Sequence, residues 1–454
     1  MVRLFSDKKF NKKKLVIFVS IPVLIISAFT LAAIYLRGVR AAIVIWDGDA
    51  GDNLWSSPTN WDSDTLPISS DIARFDNTSD TNVTIDIDID VNGIYITSNY
   101  TSIITQASGS EIYIRNNGFI QDNGTFLGGD SSIYIVDGSF TLNGGAFTST
   151  SDMFSTERNW TMNGGTFNHN NGTIRFTGSD DDTTLTCGSA IFNNTEFRKT
   201  AYHGYLTIQP GCNINLGDAP TTGGSIRNYG TLTIGTGHWD ASYSDDTWLY
   251  TYTGATTTIN STSVSELRGL QALGGTISAN SLTTLITSDA QDIDGINVSS
   301  SGSLSMTSLT TLDVNNGHIT LTSGTFNVPS LTTVNVERSF NNSGNLFLNG
   351  TDITFNGSDD DTTLTCGNAT FNSVQVLKTA YHGYLTIQPG CNINLGDAPT
   401  TGGSIRNYGT LTIGTGHWDA SYSDDTWLYT YTGATTTINS TSVSELRGLQ
   451  ALGG

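Results

Sequence analysis

From about residue 80 onward, short runs of alternating apolar and polar residues follow one another, with Gly and Asn between them. Examples are IYIT at 94–97, EIYIRNNG at 111–118 and SIYIVDG at 132–138. Alternation with a period of two puts one set of side chains on a buried strand face and the other set outside. The NNG and NGG segments supply corners, because Gly and Asn accept positive φ. The pattern predicts many short strands joined by tight corners.

The strand templates also return at regular intervals. FTLNGGAF at 140–147 is followed by WTMNGGTF at 160–167, and the motif SLTT begins at 281, 308 and 330. Intervals of about 20–27 residues suit a coil of two or three short strands, so we predict a parallel β-helix. A β-sandwich also contains many short strands, but it does not predict the return of one template at each coil.

A much longer repeat is superimposed on the coils. The sequence of 199–275 recurs letter for letter at 378–454, an offset of 179 residues. We expect one continuous all-β solenoid over 81–454, with two copies at about 97–275 and 276–454. Each copy holds seven or eight coils and rises roughly 35 Å, since stacked strands lie about 4.8 Å apart. The second copy stops at the residue equivalent to Gly275, so we expect further coils to follow Gly454.

Residues 1–42 have a different character. Five lysines within 8–14 precede 22 uncharged, largely apolar residues at 15–36. As a helix this run would span roughly 33 Å, enough to cross the apolar core of a bilayer. The lysines predict a cytoplasmic N-terminus and export of the rest. A retained transmembrane helix and a signal helix cleaved before Ala42 both remain open, and both predict an extracellular body.

Residues 43–80 are rich in tryptophan, with Trp46, Trp55 and Trp61 interleaved with Gly, Pro and acidic residues. The pattern W-D-G, L-W-S, N-W, L-P and D-x-A-x-F resembles the opening segment of prokaryotic cell-surface β-helix proteins. These are pectin-lyase-like in fold and include adhesins and autotransporter passenger domains. The resemblance implies a right-handed parallel β-helix exposed at the cell surface. We predict that 43–80 forms a cap over the first coil, with sugar stacking on the tryptophans as the alternative.

The charge balance restricts the partners of the body. Residues 1–42 hold eight basic residues and one Asp, so the rest holds 12 basic and 40 acidic residues, a net charge of −28. Such a surface disfavours nucleic acid and anionic membranes as partners, so membrane contact is expected only through the N-terminal helix. Only 13% of all residues are charged, well below the usual quarter. An extracellular protein with cell-surface glycans or surface proteins as partners fits this balance.

The four cysteines occur as one pair in each copy: Cys187 with Cys212 and Cys366 with Cys391. The spacing of 25 residues in each pair is close to one coil, which places the two sulfurs on neighbouring coils. We therefore predict two disulfides, with buried free thiols as the alternative.

Several acidic clusters are candidate calcium sites, and no other cofactor is expected. Their carboxylates are hard oxygen ligands, but the spacing of an EF-hand is missing, and solvated acidic turns are the favoured alternative. The candidate residues are Asp47, Asp49, Asp52, Asp180, Asp181, Asp182, Asp359, Asp360 and Asp361.

The segment GHWDASYSDDTWLYTYTG at 237–254 and its copy at 416–433 are the richest in aromatic residues. On a strand, Trp248, Tyr250 and Tyr252 share one face, and Leu249 and Thr251 share the other. Aromatic rings that face outward would suit stacking on glycans or a partner surface, whereas rings that face inward would be core. The candidate binding residues are Trp239, Tyr243, Trp248, Tyr250, Tyr252, Trp418, Tyr422, Trp427, Tyr429 and Tyr431.

We expect a structural or adhesive stalk rather than an enzyme, and we assign no catalytic residue. A tandem copy suits a segmented stalk better than it suits an active site. The alternatives are a polysaccharide lyase or glycosidase on the same fold and a non-catalytic glycan-binding module. The body contains only two lysines, Lys199 and Lys378, at equivalent positions. A lyase would need a Lys or Arg base beside calcium-binding acids.

Overall fold

The computed structural model describes residues 41–178, 182–200, 204–243, 247–265, 267–287, 294–357, 361–379, 383–423 and 426–454. The apolar run at 15–36, predicted to be a transmembrane or signal helix, lies outside the described residues. Within the described ranges no helix has the length and apolar character needed to span a bilayer. In this described part of the chain, one short 3-10 helix, Pro58–Asn60, interrupts an otherwise all-β structure.

The described residues between 44 and 454 form one parallel β-solenoid of about 17 turns. Each coil of the chain pairs with the next through parallel strands, so the predicted β-helix is confirmed. Parallel strands arise because every coil runs in the same direction as the coil below it. No sandwich of antiparallel hairpins is present in the described ranges.

Most coils are built of three short strands, which lie on three faces. The front face runs without interruption through 18 parallel strands, from Asp71–Phe75 to Gly448–Leu452. The second face carries separate ladders of five, seven and three strands, which begin at Val83–Ile85, Asn213–Asn215 and Asn392–Asn394. The third face carries the strand that leads back to the front. The strand Ile112–Gln121 turns a corner and pairs on both the front and third faces, with Phe140–Leu142 and Ile133–Ile135.

In chain order the first strands are β1 (Ala42–Ile45), β2 (Asp71–Phe75), β3 (Val83–Ile85), β4 (Ile89–Ile96), β5 (Ile103–Gln106), β6 (Ile112–Gln121), β7 (Thr125–Leu127), β8 (Ile133–Ile135), β9 (Phe140–Leu142), β10 (Ala146–Thr148), β11 (Met153–Thr156), β12 (Trp160–Met162), β13 (Thr166–Asn168), β14 (Thr173–Phe176), β15 (Thr183–Thr186) and β16 (Asn194–Arg198). The first copy of the identical block holds β17 (Tyr205–Ile208), β18 (Asn213–Asn215), β19 (Thr222–Gly223), β20 (Ser225–Asn228), β21 (Thr231–Ile234), β22 (His238–Asp240), β23 (Trp248–Tyr252), β24 (Thr256–Ile259), β25 (Ser263–Ser265) and β26 (Gly269–Leu273). Between the copies lie β27 (Thr276–Ser278), β28 (Thr284–Thr287), β29 (Asp294–Ser299), β30 (Ser303–Ser305), β31 (Thr311–Val314), β32 (His318–Leu321), β33 (Thr325–Asn327), β34 (Thr333–Val336), β35 (Phe340–Asn342), β36 (Asn345–Phe347), β37 (Thr351–Phe355), β38 (Thr362–Thr365) and β39 (Phe371–Leu377). The second copy holds β40 (Tyr384–Ile387), β41 (Asn392–Asn394), β42 (Thr401–Gly402), β43 (Ser404–Asn407), β44 (Thr410–Ile413), β45 (His417–Asp419), β46 (Trp427–Tyr431), β47 (Thr435–Ile438), β48 (Ser442–Ser444) and β49 (Gly448–Leu452).

The core is a stack of equivalent side chains from successive coils. On the front face Leu249, Leu270, Ile296, Ile319 and Phe340 follow one another in register, and each is at most 2% exposed. Burying an apolar side chain of this size contributes about 1.5–3 kcal/mol. Because each side chain packs on the coils before and after it, the stability of the body is a sum over neighbouring coils.

Glycine is required where the chain turns from the front face to the second face. Gly145 and Gly165 end the two NGG corners with φ of 73° and 74°. A Cβ atom at Gly145 would lie 2.2 Å from the Gly124 oxygen, so any side chain there would collide with the coil below. Positive φ and this close approach explain why the template repeats its glycines.

The three tryptophans near the N-terminal end of the body form one buried cluster. Trp46, Trp55 and Trp61 are at most 1% exposed, and the Trp61 ring lies 5.2 Å from that of Trp46 and 4.6 Å from that of Trp55. All three pack around Phe75 of β2, with ring centres 5.8–6.3 Å away. Since none of these rings has an open face, the cluster belongs to the core and offers no platform for sugar stacking.

The two copies of the identical block fold identically. Strands β17–β26 recur as β40–β49 with every boundary shifted by 179 residues. Along the front face, β46 is the eighth strand after β23, so one long repeat comprises eight coils. At about 4.7–4.9 Å for each coil, the repeat rises roughly 38 Å.

The second face is interrupted once in each half of the body. No strand forms at 187–193 or at 366–370, so these two coils pass from the front face to the third face without pairing in between. The core continues through the first interruption, where Phe192 is 4% exposed and its ring lies 5.8 Å from that of Phe167. Backbone pairing is therefore lost there while apolar packing is kept.

A disulfide lies at each interruption. Cys187 is bonded to Cys212 with Cα atoms 5.1 Å apart, and Cys366 is bonded to Cys391 with Cα atoms 5.2 Å apart. These are the pairs that the 25-residue spacing predicted, on adjacent coils. Each bond joins the coil that lacks its second-face strand to the coil in which that face resumes. A covalent link thus stands where ladder hydrogen bonds are missing.

Candidate binding surface

The strand β23 presents aromatic rings on its outer side. Leu249 and Thr251 are fully buried, whereas Tyr250 and Tyr252 point outward and are half-buried, as the alternation predicts. The ring centres of Trp248 and Tyr250 lie 6.1 Å apart, and those of Tyr250 and Tyr252 lie 6.3 Å apart. The three ring planes are within about 21° of their neighbours. The rings therefore form one row along the strand, in which Tyr250 and Tyr252 are half-buried and Trp248 is only 5% exposed.

Neighbouring coils extend this row into a patch. Tyr229, which follows β20, stacks on Tyr252 with ring centres 4.3 Å apart and an interplanar angle of 4°. Arg227 is in register with Tyr250, and its guanidinium carbon lies 3.3 Å from the centre of the Tyr205 ring on the coil before. We call Tyr205, Arg227, Tyr229, Trp248, Tyr250 and Tyr252 the first aromatic patch.

The second copy builds the same arrangement on the same face. The second aromatic patch comprises Tyr384, Arg406, Tyr408, Trp427, Tyr429 and Tyr431. Arg406 lies 3.4 Å from the centre of the Tyr384 ring, and Tyr408 stacks on Tyr431 at 4.2 Å and 9°. The Tyr384 and Tyr429 rings, two coils apart, are 6.4 Å from each other. The geometry of the patch is thus a property of the repeated sequence.

Each arginine also has an acidic neighbour. A guanidinium nitrogen of Arg227 lies 4.0 Å from a carboxylate oxygen of Asp182, and the matching distance between Arg406 and Asp361 is 3.3 Å. The positive charge in each patch is therefore balanced locally, and the patch as a whole is close to neutral.

Two hydroxyl groups of the patches, those of Tyr252 and Tyr431, are held in the protonated form. Burial, followed by the influence of Tyr229, raises the pKa of Tyr252 above its usual value. Burial and the hydrogen bond with Tyr408 likewise raise the pKa of Tyr431. These phenols therefore remain neutral groups that can both donate and accept hydrogen bonds.

Two predicted binding residues lie in the core instead. Trp239 and Trp418 are at most 1% exposed, and their indole N–H groups donate to Thr222 and Thr401 hydroxyls at 2.8 and 2.9 Å. The reason is the alternation of β22, on which His238 and Asp240 take the outer positions. We therefore withdraw both tryptophans from the binding surface.

Tyr243 and Tyr422 are exposed, by 41% and 47%, but belong to a different corner of the coil. A Cβ atom at Gly223 or Gly402 would lie within 2.8 Å of these rings, so each tyrosine rests on a glycine of β19 or β42. Arg198 lies 5.5 Å from the centre of the Tyr243 ring. The equivalent of Arg198 in the second copy is Leu377, so this corner differs between copies.

No known protein-family model matches this chain, and neither does any curated protein or solved structure. The solenoid fold therefore follows from the structure alone. The resemblance of the tryptophan-rich segment to cell-surface β-helix proteins gains no support from these comparisons.

The candidate calcium ligands do not converge within the described ranges, where no group of three His, Cys, Asp or Glu side chains could hold a metal ion. Asp47 accepts a hydrogen bond from the Asp49 amide. Asp52 accepts from the Leu54 amide, the Ser57 hydroxyl and the Asn60 side chain. The Ser57 hydrogen bond, above all, lowers the pKa of Asp52. Asp47 and Asp52 thus fix the turn before the 3-10 helix.

The other acidic candidates are divided between described and undescribed residues. Asp182 and Asp361 are the acidic partners of Arg227 and Arg406. The remaining four candidates lie outside the described residues: Asp180, Asp181, Asp359 and Asp360.

The two lysines of the body are fully buried. The ammonium group of Lys199 donates to the Glu157 carbonyl oxygen at 3.1 Å, and that of Lys378 donates to the Glu337 carbonyl oxygen at 3.5 Å. A base that acts on a polysaccharide must reach its substrate. These side chains therefore give the lyase alternative no accessible lysine.

The residues that sequence reasoning missed are Tyr205, Arg227 and Tyr229 with their copies. They join the patch only through the register of β17, β20 and β23. Alignment of the front-face templates YLTI, SIRNYG and WLYTY would have found them. That alignment needs the coil boundaries, which the varying coil length hides.

Proposed function

We propose that this protein is an exported, cell-surface structural and adhesive β-solenoid that binds glycans through its aromatic patches. The observation that supports this most is the repetition of one patch, with matching distances, on the same face of two successive long repeats. A stalk that carries recurring adhesive sites needs such segments, whereas a single enzymatic reaction does not.

The chemistry of the patch suits sugars. Aromatic rings stack against the apolar faces of sugar rings, while neutral phenols can hydrogen-bond with hydroxyl groups. Tyr250 and Tyr252 contribute rings, and Tyr229, which is 36% exposed, adds a phenol beside Tyr252. The combination offers both stacking and directional hydrogen bonds within one shallow surface.

Export is supported by the apolar run at 15–36, which follows five lysines, by the acidic body and by the cysteine pairs. Disulfides persist in oxidising compartments, which agrees with a place outside the cytoplasm. The stalk role is supported by the unbroken front face and the continuous core, which tie every described coil to its neighbours.

A glycan array tests the proposal. The full chain is compared with a variant in which Tyr250, Tyr252, Tyr429 and Tyr431 are replaced by Ala. A control variant carries Tyr113→Ala and Tyr134→Ala, which remove another stacked tyrosine pair of the body, with rings 4.7 Å apart. We expect the patch variant to lose at least about tenfold in affinity, since each aromatic anchor contributes more than about 1 kcal/mol.

The control variant should bind like the unmodified protein. Equal loss in both variants, or no glycan binding by the unmodified chain, would contradict the proposed binding function. The same glycans are assayed for new reducing or unsaturated ends. Their release would favour the carbohydrate-active enzyme instead.

A further inference from the structure

We infer that the two aromatic patches act together on one ligand, a single uncharged polysaccharide chain that is long enough to reach both. This rests on the proposed function and adds to it a ligand class, a stoichiometry and a minimum length.

The spacing of the patches carries the inference. Both lie on the outer side of the front face, and β46 follows β23 by eight coils. With 4.7–4.9 Å between stacked strands, equivalent rings are separated by roughly 38 Å along the stacking direction. Because the spacing is set by stacked backbone strands rather than by a linker, it is fixed.

The surface between the patches suits the same ligand. From Tyr250 the register of the front face continues through Gln271, Asn297, Thr320 and Asn341. Asn297, Thr320 and Asn341 are half-buried and uncharged, and the first two donate hydrogen bonds to the Asp294 carboxylate. Gln271 is only 4% exposed and donates to the Asp294 carbonyl oxygen, so it belongs to the support of this surface. A hydroxyl-rich chain that leaves the first patch would therefore meet hydrogen-bonding groups on the coils beyond it.

The charges favour an uncharged chain over an anionic one. The body carries a net charge of −28 outside residues 1–42, which repels polyanions. Arg227 and Arg406 cannot serve as open anion sites, because each is stacked on a tyrosine and lies beside an aspartate. A neutral sugar can bind while each arginine keeps its contacts with tyrosine and aspartate.

Two sites held at a fixed spacing on the protein bind one long ligand more tightly than either site alone, because the effective concentration for the second contact is high. Once the first patch is occupied, the second binding step is intramolecular, which strengthens binding by about 10²–10⁴-fold without new contacts. A ligand shorter than the spacing gains nothing, because it cannot reach both sites. The affinity should therefore rise steeply at a chain length of roughly 38 Å.

Calorimetry with chains of graded length tests the inference. The probes are size-fractionated oligomers of cellulose, chitin, β-1,3-glucan, mannan and dextran, each titrated into the full chain. Three variants are compared: Tyr250→Ala with Tyr252→Ala, Tyr429→Ala with Tyr431→Ala, and the control pair Tyr113→Ala with Tyr134→Ala.

For the polysaccharide that binds, we expect two short oligomers per protein molecule. Chains longer than the spacing should bind one per protein molecule, at least about 100-fold more tightly. Either single-patch variant should bind long chains only as tightly as short ones. Short-chain binding at the remaining patch shows that the variant is folded, and the control variant should match the unmodified protein.

Two outcomes would overturn the inference, and they are distinguishable. If short chains bind two per protein and long chains bind no more tightly, the patches act independently and only the bivalent binding fails. If no neutral oligomer binds at all, the proposed glycan binding fails with it.

Discussion

The guanidinium carbon of Arg227 lies 3.3 Å from the centre of the Tyr205 ring on the preceding coil. In the second copy Arg406 repeats this contact with Tyr384 at 3.4 Å. The contact ties the outer surfaces of adjacent coils together, in addition to the backbone pairing of β17 with β20. An outward cation–π contact therefore belongs to the repeated architecture.

The first prediction concerns this contact. Arg227→Ala, Tyr205→Leu and the double variant should show a coupling free energy of about 0.5–1 kcal/mol, as at other partly exposed cation–π sites. Hydrogen exchange of the amides at 205–208 measures the local stability, which suits a solenoid better than one global transition. The equivalent substitutions at Arg406 and Tyr384 are the matched control and should give the same value. Strictly additive effects at both sites would show that the contact contributes nothing.

The second prediction concerns the disulfides. Peptide mapping without reduction should recover the linked pairs Cys187–Cys212 and Cys366–Cys391. Replacing Cys187 and Cys212 by Ala should destabilise the surrounding coils by about 2–4 kcal/mol, measured by urea denaturation. Treatment of that variant with reductant should then affect only the coils around Cys366. Recovery of free thiols in secreted protein would contradict the pairing.

The third prediction tests the alternation of one strand of the third face. Leu285 is fully buried, whereas the next residue, Ile286, is 43% exposed. Leu285→Ala should cost about 2–5 kcal/mol, because it leaves a cavity between stacked coils. Ile286→Ala on the same strand should cost less than about 0.5 kcal/mol, as surface substitutions usually do. Urea denaturation distinguishes the two, and similar costs would mean that the strand has a different register.

The fourth prediction concerns pH. A hydrogen bond from the Thr236 side chain, and then one from its amide, lower the pKa of Asp218. The Thr415 amide and side chain do the same for Asp397. A lowered pKa means that the stabilisation is complete above the unfolded value of about 3.9 and is lost as the pH falls through the folded value.

Thermal unfolding of the unmodified chain and of an Asp218→Asn, Asp397→Asn variant should follow this sign. The variant should unfold at a lower temperature from pH 5 to 8, and the difference should shrink towards zero below about pH 3.9. A difference that stays constant to pH 2 would show that these carboxylates do not stabilise the fold through ionisation.

The sequence predicted the solenoid because its signals are local and repeated. The period-two alternation, the glycine corners and the return of templates such as FTLNGGAF all derive from one coil and its neighbour. A repeat of seven or eight coils and the cysteine partners followed from spacing alone, and the structure shows eight coils. In each case one regular spacing in the sequence was enough to predict the structural feature.

The binding surface was only partly predictable, because a face is composed of residues from several coils. Trp239 was assigned to the surface since it lies in an aromatic-rich segment, but alternation within β22 directs it inward. Arg227 was missed because its contact with Tyr205 depends on cross-coil register. Composition identifies aromatic segments, whereas only register shows which side chains meet.

The strandless coils at 187–193 and 366–370 have a consequence for how the body comes apart. Fraying of a solenoid spreads from coil to coil and slows where the coupling between neighbours changes. The second face consists of ladders of five, seven and three strands, and each junction between ladders is held by a disulfide. In an oxidising medium we expect the ladders to melt as one cooperative array. In a reducing medium each junction should become a boundary between cooperative units, and the parts of the body that hold the three ladders should melt separately.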